Sequence, residues 1–145
     1  MRNGAEIRTR PGASFGVITI GGCDPAVREG LDLLATRGVV ADSMRVRGFP
    51  FDETVEAFLD EHDFCFVIEQ NRDAQLRSLL TLETRVSKAR LRSVLVYGGF
   101  PLSARHVVDG IMRVLHEMDP SVNGHALPSK ALTSETPLPH MQIEE

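Results

Sequence analysis

Between Glu6 and Met118 two apolar patterns take turns along the chain: short runs dense in Val, Ile, Leu and Phe, and longer stretches in which apolar residues return with helical spacing. The first pattern predicts strands and the second predicts helices packed by one face. Glu6 to Arg10 reads as a short, polar edge strand closed by Pro11-Gly12, and Phe15 to Ile20 (FGVITI) as a strand covered on both sides. Gly21-Gly22 breaks that strand, Asp24 is placed to cap a helix, and Pro25 suits its first turn because it has no N–H to satisfy. Val27, Leu31, Leu34 and Ala35 share the helix's apolar face, and Gly38 ends it. Val39 to Val46 is the next strand, made less apolar by Asp42, Ser43 and Arg45 and stopped by Gly48-Phe49-Pro50. Asp52 then caps a helix presenting Val55, Phe58, Leu59 and His62. Phe64 to Ile68 runs through Glu69-Gln70-Asn71 into a helix from Arg72 to Thr84, with Leu76, Leu79 and Leu80 on one side. Leu91 to Tyr97 is bounded by Gly98-Gly99, and Ser103 caps a last helix with Val107, Ile111, Val114, Leu115 and Met118 facing inward.

Strands alternating with helices are the signature of βαβ units, and strands apolar throughout require helices on both faces of the sheet. The fold class is therefore α/β. A chain of 145 residues suits one domain able to bury roughly two thirds of its unfolded surface. That domain is expected over residues 1–119. Residues 120–145 are rich in Pro, Ser and Thr and lose helical periodicity, so they read as a tail or an arm needing a partner.

The net charge of −4, without any long basic block, argues against a nucleic-acid partner. Two cysteines outside any Cys-x-x-Cys pair fit a reducing compartment, and no apolar stretch has the length of a membrane span or a signal core. The expectation is a cytoplasmic protein without membrane contact.

Four segments carry a resemblance: Gly16 to Gly22, VRGFPF (Val46 to Phe51), VIEQNRDAQL (Val67 to Leu76) and PLSARHVVDGI (Pro101 to Ile111). Together they resemble the C-terminal, transketolase C-terminal-like part of the alpha subunit of 2-oxoacid:ferredoxin oxidoreductases, particularly the 2-oxoglutarate type. The resemblance implies a three-layer α/β/α sandwich whose mixed five-stranded sheet has the order 1-3-2-4-5, with strand 1 antiparallel. It implies that Gly21, Gly22 and Cys23 face Glu69, Gln70 and Asn71 across a crevice at the strands' carboxyl ends. Whole enzymes of that family decarboxylate a 2-oxoacid oxidatively onto coenzyme A, using thiamine diphosphate with Mg2+ and an iron–sulfur cluster to reduce ferredoxin. This chain has neither a thiamine diphosphate motif nor a cysteine series for a cluster. The implied role is thus a non-catalytic assembly domain, with the remaining alpha-subunit domains and the beta subunit as partners and a homodimer as a further option. The alternative is a stand-alone small-molecule or anion-binding module using the crevice.

Each candidate residue has a plainer reading beside the functional one. Gly21-Gly22-Cys23 before a helix could cradle an anion, but it lacks either phosphate-loop spacing, Asp24 adds a carboxylate there, and a tight turn explains the glycines. Cys23 could be a thiolate nucleophile at a helix N-terminus, yet no His or Lys adjoins it in sequence, and Cys65 reads as core. Glu69, Gln70 and Asn71 serve either an interface or an internal capping network, with Asn71 capping the helix that follows. One carboxylate without a partner makes no acid–base mechanism. His62, His106, His116, His125 and His140 show no ligand spacing, so no metal site is expected. Arg72, Arg77, Arg85, Arg90 and Arg92 could serve coenzyme A phosphates or simply form a solvated surface. Phe49, Phe51 and Phe100 are the expected interface anchors if exposed.

Overall fold

The computed structural model describes residues 5–121 and 141–144. In chain order the elements are β1 (Glu6–Arg8), β2 (Phe15–Ile20), α1 (Asp24–Ala35), β3 (Ala41–Val46), α2 (Glu53–Glu61), β4 (Cys65–Glu69), α3 (Gln75–Glu83), β5 (Leu91–Val96), α4 (Ala104–Met118) and β6 (Met141–Glu144). The sheet order is β1-β3-β2-β4-β5-β6, with β2 to β5 parallel and the edges β1 and β6 antiparallel to their neighbours. Its first five strands therefore have the expected order 1-3-2-4-5 with an antiparallel first strand. The sixth is an addition. Met141 to Glu144 does alternate apolar and polar residues, but the run is short and sits in a sequence dominated by turn formers. Residues 122–140 of the expected tail lie outside the described residues.

The strand pattern sorts the interior into two compartments, because successive strand residues point to opposite faces. Phe15, Val17, Phe66, Ile68, Val94 and Val96 pack with α1 and α4, joined by Cys23. Ile18, Met44, Val46, Cys65, Val67 and Leu91 pack with α2 and α3. Two helix layers enclose the sheet, giving the α/β/α sandwich of a transketolase C-terminal-like fold. Close approach inside the first compartment depends on glycine. A Cβ on Gly110 would come within 2.5 Å of Val94, and one on Gly30 within 2.8 Å of Val107, so α4 lies tight on β5 and α1 tight on α4.

Three local expectations need correction. Asp24 does not cap α1: a 3-10 turn, Gly21–Cys23, runs directly into the helix, and Cys23 already has helical angles. With the chain helical that early, the Asp24 carboxylate is free to bind the Arg8 guanidinium at 3.1 and 3.2 Å, tying β1 to the helix start. The helix expected from Arg72 begins only at Gln75, because Ala74 stands in the left-handed region at φ 51°. The arginines are not all a solvated surface. Arg77 is buried and donates to the carbonyls of Leu91 (2.9 Å) and Lys88 (3.2 Å), and Arg90 donates to those of Leu59 (2.7 Å), Asp63 (3.1 Å) and His62. These two guanidiniums fasten the α3 and α2 ends onto neighbouring loops, where donors in a planar fork can satisfy several carbonyls at once.

Candidate functional site

At the carboxyl edge of the sheet, β2 and β4 part company. Their pairing ends at Ile18–Val67, although β2 continues to Ile20 and β4 to Glu69, and β2 stays paired with β3 as far as Ile20–Val46. The connection after β2 leads away to β3, and that after β4 leads the other way to β5. Such a reversal opens a crevice between the two strand ends. Gly21, with φ +67°, turns the chain out of β2, and Gly22 and Cys23 follow along one lip. Glu69, Gln70 and Asn71 form the other.

The two lips touch. The Cys23 thiol donates to Gln70 Oε1 at 3.7 Å, and Gln70 Nε2 donates to the Phe100 carbonyl at 3.4 Å in the loop after β5. One exposed amide side chain thus stitches three strand ends together. Burial, reinforced by the Glu69 carboxylate, pushes the Cys23 thiol above its ordinary value, the reverse of what a thiolate nucleophile requires. Cys65 lies in the opposite compartment, where burial pushes its thiol up to about 12. The sheet separates the two sulfurs.

Glu69 turns inward. It is 2% exposed, and its carboxylate accepts from the backbone N–H of Leu76 at 2.7 Å and of Arg77 at 3.2 Å, and from Asn71 Nδ2 at 2.9 Å. It satisfies the first-turn donors of α3 in place of a conventional cap, and a carboxylate is favoured at a helix N-terminus. Asn71 Oδ1 accepts from the N–H of Asp73 (3.1 Å) and Gln75 (3.3 Å), holding the turn that carries the left-handed Ala74. Of the three polar tip residues, two are spent on internal structure and Gln70 alone faces outward.

The expected phenylalanine anchors divide. Phe49 is 50% and Phe100 53% exposed, on the loops after β3 and β5, and Ile20 at the end of β2 is 41% exposed. Phe51 instead is half-buried against the α2/α3 compartment and meets the Phe49 ring edge-on at 5.3 Å. Sequence reasoning missed Ile20, since the inward- and outward-facing ends of a covered strand look alike in a run such as FGVITI. It also missed the pairing of His62 Nε2 with Asp42 Oδ2 at 2.8 Å. That pair sits at the amino edge of the sheet, away from the crevice, where His62 Nδ1 also meets the Phe58 carbonyl at 2.7 Å and Asp42 Oδ1 accepts the Arg10 N–H at 2.8 Å. Its place is a clamp between α2, β3 and the β1–β2 turn.

Among the described residues no three His, Cys, Asp or Glu side chains gather as a metal-binding group. The donor set does not fit an iron–sulfur cluster, whose thiolates would have to converge, nor the magnesium of a thiamine diphosphate site. No helix among the described residues is long and apolar enough to cross a membrane.

Known structures share this architecture. The chain superposes with TM-score 0.67 and 24% identity on a 2-oxoglutarate:ferredoxin oxidoreductase from Magnetococcus marinus, solved with 2-oxoglutarate, coenzyme A and succinyl-CoA bound; the match covers 81% of this chain and 20% of that one. The likeness is one of fold. A transketolase from Campylobacter jejuni matches with TM-score 0.52 and 14% identity over 77% of this chain and 18% of its own. The alpha chain of a probable 2-oxoacid ferredoxin oxidoreductase from Thermoplasma acidophilum gives TM-score 0.49 and 18% identity over 79% of this chain and 99% of its own. This chain spans about a fifth of the length of the first two proteins. No protein-family model and no curated protein matches it.

Proposed function

We propose that this chain is a non-catalytic assembly domain of a thiamine diphosphate-dependent 2-oxoacid:ferredoxin oxidoreductase of the 2-oxoglutarate type, working in the cytoplasm. Its partners are the remaining alpha-subunit domains and the beta subunit. The observation that carries the reading is the state of the carboxyl edge: the polar groups expected to do chemistry are engaged within the domain, while Ile20 at the end of β2 and Phe49 and Phe100 on the loops after β3 and β5 stay exposed. Exposed apolar side chains along one edge suit protein docking better than they suit a small anion. The fold likeness to an oxidoreductase with 2-oxoglutarate and coenzyme A bound supports the choice of enzyme. Thiamine diphosphate, Mg2+, the iron–sulfur cluster and coenzyme A are assigned to the other parts of that enzyme; among the described residues no side chains gather to hold the magnesium or the cluster.

The Cys23–Gln70–Phe100 stitch counts against the alternative of an anion-binding crevice, because the side chains that would line it bind one another. The test mixes the chain with the remaining alpha-subunit domains and the beta subunit, then follows assembly by sedimentation and 2-oxoacid-dependent ferredoxin reduction. Phe49→Ser and Phe100→Ser are expected to weaken assembly while leaving the chain's own melting temperature nearly unchanged. Undiminished assembly in both variants would remove this edge from the interface. Micromolar binding of thiamine diphosphate and Mg2+ to the isolated chain, measured by calorimetry, would overturn the non-catalytic assignment.

A further inference from the structure

Residues 97–103 join β5 to α4 and carry Phe100, one of the exposed side chains of the carboxyl edge. The segment, YGGFPLS, has no Asp, Glu, Lys or Arg, and Gly98 and Gly99 stand at φ +109° and +86°, where glycine alone is unstrained. Gln70 holds its middle through the Phe100 carbonyl at 3.4 Å, Leu102 packs half-buried on the α1/α4 compartment, and Ser103 ends it as the cap of α4.

The cap is reciprocal. Ser103 Oγ accepts the His106 N–H at 3.2 Å, while His106 Nδ1 accepts the Ser103 N–H at 3.0 Å and lies 3.1 Å from the hydroxyl. A box of this kind usually closes with Glu or Gln. Here it closes with the side chain whose ordinary titration lies nearest neutrality, and a protonated imidazole has two donors and no acceptor. Whatever the hydroxyl then does, the Ser103 N–H would point at another N–H. A cation in the first turn also meets the positive end of the helix dipole.

The surroundings keep the ring neutral. It is 8% exposed, and burial lowers its pKa, opposed by Asp109 and assisted by Arg105. Both of these charges stand on α4 and pair with each other at 3.4 Å. Among the described residues α1 and β5, which pack on α4, bring no charge to the ring. Glu144 of β6 is registered opposite Ser93, in the amino-terminal half of β5 and away from the start of α4. The box is therefore closed at neutral pH and opens only on acidification below the ordinary histidine value of about 6.5.

We propose that the Ser103–His106 box is an acid-released latch on docking: uptake of a proton by His106 Nδ1 breaks it, loosens the segment that carries Phe100 and weakens assembly through the carboxyl edge. Leu102 and the core beneath it stay in place, so the change is local. This regulation rests on the docking role proposed above.

The test measures docking of the full chain to the remaining alpha-subunit domains and the beta subunit from about pH 7.5 to about pH 4.5, for the wild type and for His106→Gln, which keeps the box closed throughout. The two should dock alike at the upper end, and over the titration the wild type should lose at least about fivefold more affinity than the variant. Hydrogen exchange on the chain by itself gives a second reading. At matched acidic pH the Ser103 and His106 amides should be less protected in the wild type than in the variant, while Phe66–Ile68 in β4 stay equally protected in both. Parallel docking profiles, or equal protection of the Ser103 amide, would overturn the latch and leave the docking role standing. Failure of both proteins to dock at the upper end would overturn the docking role itself, and the latch with it.

Discussion

The Glu69 carboxylate holds two N–H groups of α3 in a place where water does not reach, so Glu69→Gln, which keeps the shape and halves the acceptors, leaves a buried donor poorly paired. The expected cost is about 1–3 kcal/mol, read as a lower urea midpoint. Its exposed neighbour gives the contrast: Gln70→Ala should change stability by only about 0.5 kcal/mol or less. The thiols make a second prediction. With Cys23 at 4% and Cys65 at 2% exposure and both thiols held up by burial, alkylation at neutral pH should be slow in the native chain and label both after unfolding. Rapid native labelling of Cys23 would contradict the burial described here. At this scale the sequence was only partly legible. Glu69 could be foreseen as an acceptor for nearby amides, but not its reach to Leu76 and Arg77, because the late start of α3 depends on a left-handed alanine, and alanine carries no signal for that conformation.

Among the elements, α4 shows how a start signal can be read correctly and incompletely. Ser103 caps it as its position suggests, accepting the His106 N–H at 3.2 Å, and His106 completes the box by accepting the Ser103 N–H on Nδ1 at 3.0 Å. That acceptor exists only on a neutral ring. Burial lowers the His106 pKa, opposed by Asp109 and assisted by Arg105. A depressed histidine contributes stability that is complete above the unfolded value of about 6.5 and is lost as pH falls through the lower folded value. Thermal melts should therefore show the chain losing stability on acidification below about pH 6.5. His106→Gln, which keeps an acceptor at the same helical position and removes the charge change, should flatten that part of the profile. Ser103→Ala should cost about 1 kcal/mol at any pH. The histidine's part escaped the sequence reading because Glu or Gln usually fills this box position. Strands and helix faces were easier, since periodicity reports burial directly: Val55, Phe58, Leu59 and His62 all lie inside as expected.

For the whole molecule, alternation of strands and helices was enough to set the α/β class, and the resemblance supplied the strand order. The sixth strand could not be foreseen, because four residues cannot outweigh a turn-rich context when only distant partners, β5 and α4, give them a reason to extend. A consequence of the divided interior concerns how the sequence is free to vary. Ile18 faces α2 and α3 while Ile111 of α4 faces the opposite compartment, and a layer of backbone lies between them. Ile18→Val and Ile111→Val should each cost about 0.5–1.5 kcal/mol, and in the double variant the costs should simply add, to within about 0.5 kcal/mol. Ile18→Val combined with Val67→Ala, in the same compartment, has no such guarantee, because one relaxation can serve both gaps. Chemical denaturation of the four variants would expose any coupling across the sheet. If there is none, the two halves of this interior can drift independently over generations, each constrained by its own neighbours and indifferent to changes on the other side.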